Sequence, residues 1–477
     1  FPMPPSTSLP LVVDADGTLL RGDMLHEALR CCLLQPKRWL PALAAAWRGR
    51  LALKQHLASW VVFESGMLVP RAEVIEYIRA QRAAGVRVVL ASASPLPWVQ
   101  ALADQLGLFD EVLASTPAIN LKGANKQAAL QARFGAQGFD YMGNSAADLP
   151  VWQAAQHAWV VGASAGQLAR WQRQVPLLQS LPAATAERRL PALVAALRPV
   201  QWAKNLLMAA PWLAAHRYAE DGWVLPLALG MASFSLVASA AYLINDWVDV
   251  AHDRVHPFKR HRPLASGALP LWAPVLAVPL LLAGAIGLAS GLPAAFQGAL
   301  AVYAIATLAY SLVLKAIALA DGITLAGLYT WRMVAGAWLM GVVMSYWFLL
   351  FAMFLFFSLA MAKRYSELRD MPPTQADVPG RGYSADDASM VCTLGVAAGM
   401  LAVLVLALYS RDPATVALYS QPAVMAWAAP LLLYWVARMW RCAHRRQLRQ
   451  DPLLFALRDG VSWMVGALVL VLVLWAR

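Results

Sequence analysis

NDWVDVAHDRVHPFKRHRPLASG, residues 245–267, sets acid beside base at the end of a long apolar run, and its reading decides what the rest of the chain is for. At 100° per residue, Asp246, Asp249 and Asp253 fall on one narrow face of a helix. Three carboxylates that close repel one another, and the usual remedy is a divalent cation. Hard oxygen donors suit Mg2+, which keeps several waters and completes its shell with substrate phosphates. Lys259, Arg260 and Arg262 follow within one short loop, where they could take the phosphate oxygens that the metal leaves free. With Asn245 beside it, the stretch reads as a Mg2+-diphosphate site at a membrane surface. The plainer reading is a solvated loop whose basic residues only fix topology. That reading explains the carboxylates poorly, because an Asp near the centre of a membrane helix costs about 3 kcal/mol and intramembrane ionisable groups are functional by default.

The pattern NDxxDxxxD followed by HPxKxxRPLASG resembles the first Asp-rich motif of the UbiA family of intramembrane prenyltransferases. Within that family, LRPVQWAKNLL (197–207), AYLINDWVDV (241–250) and AKRYSELRD (362–370) are similar to the polyprenyl-phosphate phosphoribosyltransferase branch. That branch moves phosphoribose from phosphoribosyl diphosphate to a lipid phosphate. The resemblance spans roughly 190–477 and implies an all-α polytopic domain that works with Mg2+.

Composition agrees with a membrane protein. Of 477 residues, 60% are hydrophobic and 14% charged, which lies outside the soluble range. A net charge of +12 could point to nucleic acid. In a chain this apolar, the basic residues more economically set orientation and meet anionic headgroups, so no nucleic-acid partner is expected. Cys31, Cys32, Cys392 and Cys442 have neither disulfide-framework nor metal-ligand spacing. The opening FPMPPSTSLP carries no signal-peptide pattern, and the first segment is expected on the cytoplasmic side.

Three short apolar runs end in polar residues: LPLVVDADGTLL (9–20), VRVVLASAS (86–94) and FDYMGNSAADLP (139–150). With helical patterns between them, they predict an open α/β sheet whose ligands bind beyond the carboxyl ends of the strands. This part resembles the haloacid dehalogenase superfamily of phosphohydrolases over about 9–170. The resemblance implies a Rossmannoid sheet with Asp14 as nucleophile, Asp16 as general acid/base and Ser92 holding phosphoryl oxygens. It also implies Lys126 as charge partner and Asp148 as Mg2+ ligand. Asn144 stands where the family's GDxxxD pattern has its first carboxylate, so a neutral donor enters the metal set. Between Asp16 and Arg71, LHEALRCCLLQPKRWLPALAAAWRGR reads as a small helical cap resting on the bilayer, since Arg30, Lys37, Arg38 and Arg48 interrupt it too often for a span.

The domains expected are 1–175 (phosphohydrolase), 176–196 (linker) and 197–477 (transmembrane transferase). Nine spans are expected near 202–218, 223–245, 271–291, 293–312, 317–341, 344–362, 389–409, 419–437 and 460–476. Basic residues, among them Arg188, Arg189 and Arg449, gather in alternate connections. The positive-inside rule then makes the first domain cytoplasmic and the protein a multi-pass component of the inner membrane. Trp202, Trp212, Trp223, Trp347, Trp435 and Trp440 fall near span ends, as an aromatic belt would. Lys204, Lys315, Arg332, Lys363 and Arg364 are candidate substrate contacts, and Asp321 a candidate ligand of a second metal. Asp321 and Arg332 share a helix face, where a structural pair is the simpler alternative. Arg458 and Asp459 read as a juxtamembrane anchor.

The first functional expectation is phosphoribosyl transfer to a polyprenyl phosphate, with the fused hydrolase removing the 5-phosphate. The second is prenyl transfer from an isoprenyl diphosphate to an aromatic or alcohol acceptor. The third, of another class, is a lipid-phosphate transporter or regulatory assembly with an inactive phosphatase. A homo-oligomer is compatible with each.

Overall fold

The computed structural model describes residues 9–64, 66–181, 189–217, 220–371, 381–417, 419–448 and 451–477. The opening residues 1–8 and two of the topology-setting arginines, Arg188 and Arg449, lie outside the described residues. The chain forms two compact units: Phe1–Ala196 with Asp246–Val275, and Leu197–Asn245 with Leu276–Arg477.

The first unit is built on a sheet. Its chain order is β1 (Leu11–Asp14), α1 (Met24–Leu33), α2 (Trp39–Trp47), α3 (Arg50–Ala58), α4 (Ala72–Ala83), β2 (Val88–Pro95) and α5 (Leu96–Leu106). Then come β3 (Glu111–Ser115), α6 (Ala124–Phe134), β4 (Asp140–Gly143), α7 (Leu149–Ala154), β5 (Ala158–Val160), α8 (Ala165–Gln172), β6 (Gln179–Ser180) and α9 (Arg189–Leu197). The strand order is β3-β2-β1-β4-β5-β6 and every neighbouring pair runs parallel. Parallel strands are covered on both faces, which is why β1 reads as an unbroken buried Leu-Val-Val run. Alternate residues feed two cores, with Val13, Leu90 and Trp98 in one and Val12, Val89, Tyr141 and Trp152 in the other. The order reverses between β1 and β4, so the crevice for a ligand opens at their carboxyl ends, where Asp14 and Gly143 stand. At the start of the expected linker, buried Leu178 and Leu181 flank β6, which pairs with β5 at the sheet edge.

The cap expected between Asp16 and Arg71 is α1, α2 and α3. Asp23 starts α1 by accepting a hydrogen bond from Leu25 N at 2.8 Å. The same unit contains the Asp-rich stretch, and one arginine ties it down. Arg254 pairs through Nη2 with Glu27 Oε1 of α1 at 2.5 Å, donates Nε to Ala265 O at 3.2 Å and reaches Met67 O through Nη1. Gly267 closes the approach: its φ is +76°, and an added Cβ would lie 2.8 Å from Arg21 Cβ.

The helices then run α10 (Ala210–Ala214), α11 (Val224–Val248), α12 (Val250–Val255), α13 (Ala273–Ala289), α14 (Ala294–Leu312), α15 (Ala320–Met340) and α16 (Tyr346–Arg369); α12 belongs to the first unit, and the others form the body of the helical unit. After these come α17 (Ala388–Tyr409), α18 (Pro413–Val416), α19 (Pro422–Met425), α20 (Ala428–His444), α21 (Pro452–Arg458) and α22 (Gly460–Ala476). The nine expected spans are borne out only in part. Among the described residues five helices are long and apolar enough to cross a membrane, or six if α21 and α22, bent by 82°, count as one. The α13 helix has 17 residues with Pro279 inside it. The segment expected at 202–218 is not a span at all. Residues 199–209 wind as a 3₁₀ helix and α10 adds one short turn, because Pro199 and Pro211 interrupt the α-helical ladder and Lys204 and Asn205 turn inward as buried polar groups.

The single-face arrangement of Asp246, Asp249 and Asp253 is also corrected. The α11 helix stops at Val248, and Asp249 takes φ −84°, ψ 1°, so α12 starts as a separate helix. Asp favours such junctions over helix interiors.

Glu27 and Arg254 are each nearly enclosed, with 4% and 6% of their side chains exposed. Glu27→Ala, which leaves that guanidinium buried without its carboxylate, is therefore expected to cost about 3–5 kcal/mol, read as a lowered unfolding midpoint of the sheet unit in detergent.

Candidate functional site

In the sheet unit, β1 delivers Asp14 to the crevice and the following turn delivers Asp16. Lys126, from the first turn of α6, donates to Asp14 Oδ1 at 2.6 Å, to Ala91 O at 3.2 Å and to Tyr141 Oη at 3.1 Å. Tyr141 Oη in turn donates a hydrogen bond to Asp148 Oδ1 at 2.8 Å. Asp148 Oδ2 accepts from Asn144 N, Ser145 N and Ser145 Oγ at 3.0–3.2 Å. Asp148 thus shapes the loop that carries Asn144, and both its oxygens have protein donors. Asp14 Oδ2 has one long hydrogen bond among the described residues, from Thr18 Oγ1 at 3.3 Å, which leaves it turned to the crevice. Burial outweighs the Lys126 ammonium and pushes the Asp14 carboxyl up to about 7, while the nearby carboxylates hold the Lys126 ammonium charged.

Asp16 accepts from Met24 N at 2.8 Å and from Ser94 Oγ at 2.7 Å, and burial raises its pKa as well. A carboxyl that holds its proton more tightly than free Asp suits a general acid. Ser92 is fully buried, and its Oγ accepts from Ser94 N at 3.1 Å. Gly17 admits Asn144: at φ +77° its missing Cβ leaves the space where the amide nitrogen of Asn144 lies. Lys54 of α3 was not foreseen. It donates to Ala93 O at 2.9 Å, and its charge favours ionised Asp16.

In the Asp-rich stretch of the same unit, Arg262 Nη1 lies 3.0 Å from Asp246 Oδ1 and 2.7 Å from Asp253 Oδ2. Both carboxylates are 3% exposed as residues and converge on one positive group, so two hard oxygen donors already meet where a cation is held. Burial raises the Asp253 pKa against the pull of Arg262. Among the described residues no three His, Cys, Asp or Glu side chains form a metal cage, and the donors present fit an ion that takes most of its shell from water and phosphate. Asp249 is half-buried at the junction of α11 and α12, Lys259 half-buried and Arg260 exposed in the loop that follows.

The helical unit holds its own buried charges. Asp451, at the start of α21, accepts from Lys204 Nζ at 2.6 Å and Tyr329 Oη at 2.9 Å, with Lys363 Nζ at 3.9 Å. Arg332 donates to Asn205 Oδ1 at 2.9 Å, Leu328 O at 2.7 Å and Tyr303 Oη at 2.6 Å. Among the described residues, Lys204, Lys363 and Arg332 gather around Tyr329 with one carboxylate between them. A narrow cavity lies there, lined by Leu325, Tyr329, Phe356, Leu359, Lys363 and Asp451. Asp321 and Arg332 are not partners, so the alternative of a structural pair between them along α15 does not hold. Asp321 accepts from Tyr310 Oη at 2.7 Å and Arg381 Nη1 at 3.0 Å, and Arg364 Nε lies 2.5 Å from its other oxygen in an ion pair without hydrogen-bond alignment. Two guanidinium groups already balance this carboxylate, which does not suit a second metal. Lys315 donates to Asn245 Oδ1 at 3.0 Å. Asp459 accepts from Arg438 at 2.6 and 2.8 Å and caps α22 through Ser462, a structural role. Asp451, Tyr329, Asn205 and Arg381 were missed; only the Asp-Pro start of α21 was a usable signal for the first of them.

Known proteins resemble both parts. Residues 206–459 match the UbiA prenyltransferase family and residues 11–153 the haloacid dehalogenase-like hydrolases. An uncharacterized protein, y4nM, of Sinorhizobium fredii is 36% identical over 97% of this chain and 90% of its own length. The nodulation protein NoeC of Azorhizobium caulinodans is 38% identical over 56% of this chain and 87% of its own. The decaprenyl-phosphate phosphoribosyltransferase of Mycolicibacterium smegmatis is 35% identical over 46% of this chain and 71% of its own. Among solved structures, a UbiA homolog from Archaeoglobus fulgidus bound to DMAPP and Mg2+ aligns with 59% of this chain and 98% of that one, at 17% identity and a TM-score of 0.47.

The raised pKa of Asp14 carries a sign. Its folded value lies above the unfolded one, so the stability it contributes is fully present below about pH 4 and lost as pH rises through about 7. In metal-free protein the unfolding midpoint of the sheet unit is expected to fall between about pH 4 and pH 7, with a shallower slope in Asp14→Asn.

Proposed function

Because the chain belongs to the UbiA prenyltransferase family and carries a haloacid dehalogenase-like hydrolase domain, we propose that it is a multi-pass membrane enzyme that moves phosphoribose from phosphoribosyl diphosphate to a polyprenyl phosphate. The observation that carries this reading is the excess of cations in the helical unit, where buried Lys204 and Arg332 and half-buried Lys363 gather near Asp451 beside an apolar wall. An acceptor that is apolar except for one phosphate suits that combination. The 35% identity to a decaprenyl-phosphate phosphoribosyltransferase supports the same choice. We assign the domains to 1–175, 176–196 and 197–477, and place the hydrolase on the cytoplasmic side of the inner membrane.

In this reading Asp246, Asp249 and Asp253, with Asn245 before them, would hold Mg2+, and Lys259, Arg260 and Arg262 would receive diphosphate oxygens. Bound Mg2+ would supply positive charge to the leaving diphosphate. The anomeric C–O bond of the donor breaks toward an oxocarbenium-like centre, the diphosphate departs, and a phosphate oxygen of the polyprenyl phosphate forms the new bond. The chain's basic residues favour this by stabilising charge that develops only as the bond breaks. Lys315, Lys363, Arg332 and Arg364 steer or fix the anionic reactants.

The hydrolase domain would then remove the 5-phosphate of the lipid-bound sugar. Asp14 Oδ2 attacks phosphorus, Asp16 gives its proton to the departing ribose oxygen, and Ser92 and Lys126 hold the phosphoryl charge. Asp16 next takes a proton from water, which opens the aspartyl-phosphate. Asp14, Asp16, Asn144 and Asp148 would hold Mg2+ here, which would offset charge on the phosphoryl group.

Purified protein in detergent, given phosphoribosyl diphosphate and polyprenyl phosphate, is expected to add one phosphoribose to the lipid by mass, and EDTA to stop it. Asp246→Asn or Asp253→Asn should slow transfer by about 100-fold or more. Asp14→Asn should leave transfer intact and preserve the 5-phosphate. Product formed from isoprenyl diphosphate and a hydroxybenzoate, with none from phosphoribosyl diphosphate, would instead establish prenyl transfer. Undiminished transfer by the Asp246 and Asp253 variants would remove the metal assignment.

A further inference from the structure

The α2 helix is built inside out. At 100° per residue, Trp39, Leu40, Leu43 and Trp47 occupy one arc of about 100°, and they are 46%, 79%, 57% and 92% exposed. The face turned toward the unit carries Ala42 and Ala45, both buried. A helix on a water-soluble domain does the reverse and points its bulky apolar side chains at the core. Charge around this patch has one sign. Lys37, Arg38, Arg48 and Arg50 flank it and are all exposed, and the sequence holds no Asp or Glu between Glu27 and Glu64. A contiguous apolar patch with a cationic rim marks a binding surface rather than ordinary scatter. Aromatic and aliphatic bulk on one face, basic residues at its edges and no carboxylate are the features of a helix that lies in a lipid interface. The chain already belongs to a membrane, so this surface and its occupant share a compartment.

We infer that α2 is an interfacial anchor lying in the plane of an anionic leaflet. Trp39, Leu40, Leu43 and Trp47 enter the acyl boundary, while Lys37, Arg38, Arg48 and Arg50 sit among headgroup phosphates. The anchor does not span the bilayer, since α2 has nine residues. It fixes the hydrolase cap to the surface on which a lipid-borne phosphate is presented, and that last clause rests on the function proposed above.

The test uses the full chain in nanodiscs of phosphatidylcholine and phosphatidylglycerol, one copy per disc. The four native cysteines are replaced, and an environment-sensitive fluorophore is placed at Leu43→Cys or, as control, at Gln100→Cys on α5. Lipids brominated near the top of the acyl chain are expected to quench position 43 at least twofold, in keeping with shallow burial of about 5–10 Å, and to leave position 100 bright. Trp47→Glu should weaken the quenching. Should the cysteine-free chain fail to fold, a photoreactive benzophenone side chain at Trp47 in the native chain is expected to crosslink to lipid. Equal brightness at 43 and 100, a benzophenone adduct only to protein, or quenching only of detergent-solubilised dimers would overturn the anchor and assign the face to a partner or a second copy. Neither readout needs turnover, so an inactive protein with a quenched label would refute the proposed reaction and leave the anchor standing.

Discussion

Arg262 held between Asp246 and Asp253 is the contact on which the Asp-rich stretch depends. The two acids come from the end of α11 and from α12, and the helix break at Asp249 would let them separate. A single guanidinium that meets both makes the break compatible with convergence, because two buried carboxylates near each other are costly unless something positive lies between them. The loop from Lys259 to Arg262 is thereby closed back on the helix that precedes it. Arg254 extends the same logic outward, since its three donors end on Glu27, Met67 and Ala265 and pin the stretch to the cap of the sheet unit.

The other clusters repeat this arrangement with different partners. Lys126 serves Asp14, Lys204 serves Asp451, and Arg364 with Arg381 serves Asp321. In each case the carboxylate and its cation come from elements far apart in the chain, so each pair is also a tertiary link. Removing one member leaves an uncompensated charge rather than a missing contact, which is the costlier outcome.

This separation explains what could be read from the chain alone. Asp14, Asp16, Ser92 and Lys126 follow strands or open helices with plain local patterns, and a parallel sheet requires its polar residues at strand ends. The sheet and its cap, and the apolar helices as a class, were legible for the same reason. The number of spans was not, because window hydropathy cannot tell a straight helix from the 3₁₀ stretch at 199–209 or the bend between α21 and α22. Nor was the company Asp321 keeps. Periodicity put Arg332 on its face, whereas Arg364 and Arg381 reach it from 43 and 60 residues away. Helical spacing also hid the junction at Asp249, since a period of 3.6 continues through a residue that the backbone uses to turn.

The inverted burial of α2 has a practical corollary. A fragment cut to the sheet and cap would carry the alanines of α2 inward and its tryptophans and leucines outward, inside a basic rim. That surface would favour adsorption to interfaces and self-association of the fragment, which micelles or vesicles would relieve. The hydrolase half is thus an amphiphile in its own right, before any spanning helix is counted.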